Sequence, residues 1–454
     1  MRTKTFRSGI HPVPQRHHGK DYTAGLPVRE MFAPRHVVLP MASFIGAPAV
    51  PVVKKGDPVT VGQLVAEASG YMSVPIYSSI SGKVSAVEER PHSSGKTSLS
   101  IVIENDYQDT SLPEAAAYPP MEEMEPAAIL AAVKKAGITG MGGATFPTHV
   151  KMSPPADCPI DCIILNGAEC EPYLTSDHRL MLEEPEAVVG GLRALMKTLG
   201  AKDGIIGVEV NKKDAILALR EVIRQEEGIR VQPLRVKYPQ GGEKQLIYAV
   251  TRRVVPSGAL PSTVGALVVN VATAASIHHV LTTGLPPGSR IVTVTGPGVK
   301  EPANLRVRFG TSFADCIEAC GGLVGENLLL ISGGPMMGIA QATPEVPVMQ
   351  GTSGILVLPG KKEIVSAGSC LRCGRCVQGC PMGLLPTTIA FAVKRRDFDA
   401  ARRLHVTDCM ECGSCAYLCP GRVELLQYLR LGKAEVTKRI RAEQQKTKEK
   451  GAEK

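Results

Sequence analysis

Tryptophan is absent from this 454-residue chain, and aromatic residues make up only 4% of it. With no recognition motif beside them, so few stacking side chains argue against nucleic acid as a partner, although the formal charge is +9. No run of roughly 18 apolar residues occurs, so no transmembrane helix is expected. The opening MRTKTFRSGIHP has no apolar segment, so no secretory signal is expected either. Disorder is not indicated: 44% of residues are hydrophobic, and 46 Gly and 35 Pro are spread along the chain as turns. That length and composition suit three or four domains.

The strongest pattern lies near the C-terminus. SCLRCGRCVQGCP sets Cys370, Cys373, Cys376 and Cys380 ahead of a proline, and DCMECGSCAYLCP repeats the spacing with Cys409, Cys412, Cys415 and Cys419. Structural zinc needs only four ligands, usually two CxxC or CxxH hooks. Here each half is C-x2-C-x2-C-x3-C-P, the run of bacterial two-cluster ferredoxins, in which the fourth cysteine serves the other cluster. The eight-cysteine register selects two [4Fe–4S] clusters over zinc. Its expected ligand sets are Cys370, Cys373 and Cys376 with Cys419, and Cys409, Cys412 and Cys415 with Cys380.

Between the motifs, Ile389, Ala390 and Val393, then Ala400, Ala401 and Leu404, fall at helical spacing, predicting an α-helical ferredoxin. The stretch KRRDFDAARR would put a basic face beside the iron, where an acidic redox partner or anionic lipid could dock by steering. The basic segment from Lys433 onward reads as a solvated, fraying end. Cys158, Cys162, Cys170, Cys316 and Cys320 show no disulfide framework, and with oxygen-sensitive clusters they fit a reducing cytoplasm.

Residues 35 to 104 read as short strands broken by turns, and GDPVTVGQ and SSISGKV resemble the barrel-sandwich hybrid of lipoyl and biotinyl carriers. The stretch GYMSVPIYS, residues 70 to 78, has no lysine to bear a swinging cofactor, so the module is expected to be structural or a docking surface. The segment before it, with His11, His17 and His18, reads as an extended, solvent-exposed arm.

From about residue 125 the periodicity becomes alternating strand and helix, which argues for a mostly parallel sheet. Three loops stand at strand ends or helix starts. TGMGGATFPTHVK offers Gly140, Gly142 and Gly143 for close backbone approach and Lys151 as a countercharge to phosphate. It is neither a GxGxxG fingerprint nor a P-loop. LNGAECEPYLTSDHRLM places Asn166, Glu169 and Glu171 at a strand's C-terminal end, where open α/β sheets bind ligands, or else caps a helix with acidic residues. KYPQGGEKQLI runs Gly241, Gly242 and Glu243 into a helix. Each is an ordinary turn singly; together they make a site.

These loops, with VNVAT, resemble the FMN- and NADH-binding loops of the flavoprotein subunit of respiratory complex I. The ordered series, from GIHP through the carrier-like module and flavin loops to the paired cysteine motifs, resembles the C-subunit family of the Rnf ion-translocating ferredoxin:NAD oxidoreductases. The resemblance implies that Gly140, Gly142, Gly143 and Lys151 line FMN and that Phe146 stacks on the dinucleotide. It implies further that Asn166 and Glu169 hold the isoalloxazine and ribityl chain, that Glu171 and Glu243 face NAD(H), and that Asn270 contacts the FMN phosphate. Met141 replaces an arginine of complex I, Thr145 a glycine, and Lys244 a second acid. Residues 288 to 360 resemble the β-grasp SLBB domain of these families, in which Cys316 and Cys320, at i and i+4, are expected as packed core thiols.

The implied architecture is multidomain α/β and α+β. It comprises an arm over 1–34, a barrel-sandwich hybrid over 35–110 and a Rossmann-like FMN/NADH domain over 120–284. A β-grasp SLBB domain over 285–360, an α-helical two-cluster ferredoxin over 361–432 and a basic tail over 433–454 complete it. The implied role is a peripheral electron-transfer subunit on the cytoplasmic face of the membrane, with FMN, NAD(H) and two [4Fe–4S] clusters. Its partners would be the membrane subunits and a ferredoxin-type carrier. No catalytic side chain is needed, since the flavin supplies the chemistry. A corrin reductase of microcompartments shares the loops and clusters, and Met141 and Lys244 leave open a cluster-bearing adaptor without dinucleotide activity.

Overall fold

The computed structural model describes residues 3–12, 19–112, 118–360 and 368–452. His17 and His18 lie outside them. The central domain is built on four parallel strands, in spatial order Ile229–Leu234, Asp203–Glu209, Cys162–Gly167 and Ala266–Asn270. Chain order therefore reverses between the last two, which creates the crevice where doubly wound sheets take ligands. CIILNG is nearly continuous in apolar character because both its faces are covered. Ile163 and Leu165 pack under helices Pro185–Leu199 and Val271–Thr283, while Cys162 and Ile164 meet Leu246, Ile247 and Val250 of helix Glu243–Thr251. Each such buried Ile or Leu contributes about 1.5–3 kcal/mol.

The barrel-sandwich hybrid has two small sheets, one ordered His36–Pro40, Thr97–Asn105, Gly82–Pro91, Pro58–Val59 and the other Val50–Pro51, Leu64–Glu67, Ile76–Tyr77. A six-stranded sheet and helix Phe313–Glu318 form the β-grasp domain, with Cys316 and Cys320 fully buried in its core. Helices Pro386–Lys394 and Phe398–Arg403, predicted by their apolar spacing, enclose the ferredoxin core together with helix Leu425–Ala452.

Two expectations fail. The described part of the N-terminal arm is anchored to the flavin domain rather than extended in solvent. Lys4 forms a parallel bridge with Leu234, Ile10 and Tyr238 exchange backbone hydrogen bonds of 2.8 and 2.9 Å, and Phe6 and Ile10 are buried. The open edge of the parallel sheet offers unpaired backbone groups, and the arm takes them. Arg29–Glu30 likewise adds a parallel edge strand to the β-grasp sheet beside Ala303–Arg308. Nor does the basic tail fray from its start. It continues the helix Leu425–Ala452, burying Val436 and stacking Arg439 over Phe398 at 4.9 Å. The apolar register of Leu425, Leu429, Val436 and Ile440 runs past residue 432 and holds it down.

Candidate functional site

Asn166 and Asn270 are paired in register at the C-terminal ends of the two strands flanking the reversal. Beyond them opens a cavity of about 780 Å³, within the range of small-molecule sites. Gly142, Phe146, Lys151, Asn166, Glu169, Glu171, Gly241, Gly242, Glu243 and Asn270 all line it. Gly140 and Gly143 do not. Gly140 instead closes its own loop by donating to the Phe146 carbonyl at 2.9 Å. Gly143 holds φ +111°, a conformation few side chains tolerate, with open space where a Cβ would stand.

Asn166 Nδ2 donates to the Gly241 carbonyl at 2.9 Å, tying the second loop to the third. Asn270 caps helix Val271–Thr283, accepting from the Ala272 N–H at 2.8 Å and donating to Asp177 at 2.7 Å. The amino end of that 13-residue helix therefore opens on the cavity, as an anion site requires. Lys151 and Glu243 form an ion pair of 2.7 Å at the half-exposed side of the cavity. A glycine-lined crevice, a capped helix end and a lysine at its rim fit FMN.

The floor of the cavity is ionic. Glu169, in a left-handed turn at φ 45°, accepts from the Asp177 and His178 N–H groups and so caps helix Ser176–Glu183. Lys20 of the arm donates to the carbonyls of Glu169 and Leu174 and lies 3.9 Å from the Glu169 carboxylate. Behind them Lys212 and Glu209, each 1% exposed, form a second pair at 3.6 Å. Burial pushes Glu169 up to about 7 against the opposing pull of Lys20, and pushes Lys20 down to about 8 against that of Glu169. Glu171 is likewise pushed up to about 7 by burial, although the N–H groups of Met336 and Met337 donate to it at 3.0 and 2.9 Å. It bridges to the β-grasp domain while also lining the cavity.

Two of the three departures from complex I have physical explanations. Met141 is buried in the core of the barrel-sandwich module, where an arginine would be desolvated without a partner. Thr145 keeps a left-handed φ of 47°, which suits glycine better, and nothing in the structure explains threonine there. Lys244 turns away, donating to the Pro256 carbonyl at 3.0 Å. Sequence reasoning missed Lys20, Tyr71, Asp177, Tyr238, Arg290 and Met410. Only Tyr238 had a visible signal, standing immediately before the PQGGE loop.

The two cysteine motifs fold alike. Cys370 and Cys409 each accept from the backbone N–H two residues on, at 3.4 Å, and Cys380 and Cys419 each accept from the N–H four residues on, also at 3.4 Å. Arg372 and Glu411 share a left-handed conformation at φ 52° and 59°, and Gly374 and Gly413 follow at 72° and 75°, opening short helices. Such N–H···S bonds help set a cluster's potential. Among the described residues no three His, Cys, Asp or Glu side chains converge closely enough for a single ion. Instead Cys380, Cys409, Cys412 and Cys415 surround one cavity. Burial pushes Cys409 up to about 11 and Cys415 up to about 12, so iron binding there would release protons. Cys373 is exposed, and Cys370 and Cys419 are half-buried.

The two cavities share a wall. Met410 lines both, and the Tyr238 hydroxyl, lining the larger one, donates to the Cys412 carbonyl at 2.8 Å.

Four family models match the chain in order. They are the RnfC barrel sandwich hybrid domain over 4–108, the Nuo51 FMN-binding domain over 133–279, the SLBB domain over 291–340 and a 4Fe-4S dicluster domain over 362–420. The C subunit of the Na(+)-translocating ferredoxin:NAD(+) oxidoreductase complex of Acetobacterium woodii is 49% identical over 433 residues, covering 95% of this chain and 97% of that one. The proton-translocating counterpart of Clostridium ljungdahlii is 44% identical, covering 98% and 96%. The C subunit of the ion-translocating oxidoreductase complex of Rhodobacter capsulatus is 38% identical, covering 97% and 84%. At these identities over nearly its whole length, the chain belongs to the family of C subunits of Rnf ion-translocating oxidoreductase complexes.

Proposed function

We propose that this chain is the peripheral electron-transfer subunit of a membrane-bound ion-translocating ferredoxin:NAD(+) oxidoreductase, linking NAD(H), FMN and two [4Fe–4S] clusters. The observation that carries this function is the shared wall. Met410, next to Cys409 in sequence, borders both the glycine-lined cavity and the cavity of the Cys380 set. FMN, when bound, exchanges a hydride with the nicotinamide and single electrons with iron, chemistry that no side chain here supplies.

The protein's residues position and insulate. Asn166 and Gly241 hold the crevice shape, Asn270 and the helix it caps face the FMN phosphate with Lys151 as a countercharge, and Phe146, Glu171 and Glu243 serve the dinucleotide. Tyr238 and Met410 fill the wall between the two cavities. Cys380, Cys409, Cys412 and Cys415, buried and adjoining the flavin cavity through Met410, would hold the cluster placed to exchange electrons with the flavin. The set with exposed Cys373 faces a partner, and the exposed run Lys394, Arg395, Arg396 and Arg403 suits an acidic ferredoxin-type carrier. Among the described residues no helix is long and apolar enough to cross a membrane. Attachment at the cytoplasmic face would then come from contacts with the membrane subunits.

The test is anaerobic. Protein reconstituted with iron, sulfide and FMN is mixed with NADH, and flavin bleaching is followed together with the cluster EPR signal. Both should respond. If dithionite reduces the clusters while NADH leaves the flavin oxidised, the dinucleotide function is wrong and the chain is an adaptor.

A further inference from the structure

The hairpin tip at which a lipoyl carrier bears its lysine is, in this chain, part of the flavin cavity. Tyr71 and Ile45 of the barrel-sandwich module line it beside Phe146, Val150 and Lys151 of the flavin domain. The backbone of the tip is fixed. Ser69 N–H is held by Ser73 Oγ at 3.1 Å, Ala47 N–H by the Met72 carbonyl at 2.9 Å, and the Tyr77 hydroxyl donates to the Lys135 carbonyl. His149 Nε2 donates to the Tyr71 carbonyl at 3.0 Å. That ring is buried and kept neutral, since burial pushes its pKa down.

The ring of Tyr71 is treated differently from its backbone. It meets His149 edge-on, with centroids 5.8 Å apart and planes at 89°, yet is 58% exposed. In a chain with no tryptophan and eight phenylalanines, a large aromatic held rigidly but left uncovered at a cavity mouth has a face to offer. The nicotinamide would lie against the isoalloxazine, on the side of Asn166 and Glu169. The other end of a dinucleotide would extend toward the rim, where Tyr71 can meet its base.

We propose that the barrel-sandwich module supplies a stacking subsite for the adenine ring of NAD(H), with Tyr71 as its platform. This rests on the dinucleotide function proposed above. It gives the module a role in place of the missing carrier lysine: a fixed wall of the nucleotide site.

The experiment uses the full chain loaded with FMN and both clusters, assayed by NADH-dependent reduction of ferricyanide. Tyr71→Ala should raise the KM for NADH about ten-fold, the effect of losing one base–aromatic stack, while kcat moves little. ADP-ribose should lose inhibitory strength by the same factor, and Tyr71→Phe should restore both. Reduced nicotinamide mononucleotide, which lacks adenine, should be used equally well by all forms. Tyr71→Leu, which keeps apolar bulk without a π face, guards against misfolding of the alanine variant and should resemble it. An unchanged KM for NADH in both variants overturns the subsite but leaves the dinucleotide function standing. An equal loss with the mononucleotide overturns the assignment to adenine. Failure of the unaltered protein to oxidise NADH at all overturns the function beneath it.

Discussion

Crossed ligation can be decided by counting iron in double variants. Cys380 is the last cysteine of the first motif, yet its side chain lines a cavity with Cys409, Cys412 and Cys415 of the second. If that cavity holds one cubane, Cys380→Ser removes a ligand from the Cys409 cluster and leaves the other intact. Two clusters bring about eight irons per chain, and each single variant should retain about four. The pairings then separate the two ligation schemes. Cys380→Ser with Cys409→Ser strikes one cluster twice and should still retain about four irons. Cys380→Ser with Cys370→Ser strikes both and should retain almost none. This is the non-additivity expected of ligands that act as a unit. Iron and sulfide analysis of anaerobically purified protein, with EPR of the dithionite-reduced state, supplies the readout. If the Cys380/Cys409 pair loses all iron while the Cys380/Cys370 pair keeps half, ligation is sequential and the cavity has been misassigned.

Three further outcomes follow from packing and charge. A Cβ on Gly191 would overlap the Ala274 carbonyl where helices Pro185–Leu199 and Val271–Thr283 touch, so Gly191→Ala should cost about 1–3 kcal/mol in denaturant unfolding. By shifting the helix that Asn270 caps, it should also weaken FMN retention; tight FMN at unchanged stability would refute the contact. Buried Arg290 donates to the carbonyls of Met141, Ile291 and Gln350 and faces Asp177, so Arg290→Met should cost about 3–5 kcal/mol and lower the melting temperature. Burial raises Glu171 from 4.5 to about 7, so the folded state holds the extra proton. The stability it contributes, at most about 3 kcal/mol, is full below about 4.5 and lost as pH rises through about 7. Glu171→Gln should therefore flatten the fall in stability between those values, and an unaltered slope would show that the carboxyl titrates normally.

How far the sequence exposes this molecule depends on the range of the contacts involved. The cysteine register, the alternation of strand and helix and the glycine loops are local patterns, and each corresponds to an element found in the structure. Asn166 was legible as a strand-end polar residue and Asn270 only through the family resemblance, and their pairing at the sheet's reversal needs the strand order. Lys20 had no signal. Its partners are Glu169 and the Leu174 carbonyl, and no periodicity marks a lysine that closes a contact so far along the chain. Tyr71 was hidden for a different reason. The missing lysine at 70–78 showed what the tip does not do, but only the docking of the module on the flavin domain shows where the tip lies.

The arm, the carrier-like module and the β-grasp domain converge on one cavity. The arm brings Lys20 against Glu169 of its floor, the module brings Tyr71 to its rim, and the β-grasp domain brings the N–H groups of Met336 and Met337 to Glu171. None of these groups belongs to the flavin domain, yet its loops need them. Glu169 and Glu171 are buried carboxylates, and an isolated buried charge is paired, hydrogen-bonded or protonated. Met141, for its part, packs into the module's core, so the first glycine loop has an apolar anchor outside its own domain. A flavin domain cut free of these neighbours would therefore expose Met141 and strip Glu169 and Glu171 of their cationic and N–H partners. The site is thus a property of the assembled chain, with the neighbouring domains completing its floor, its rim and its anchor.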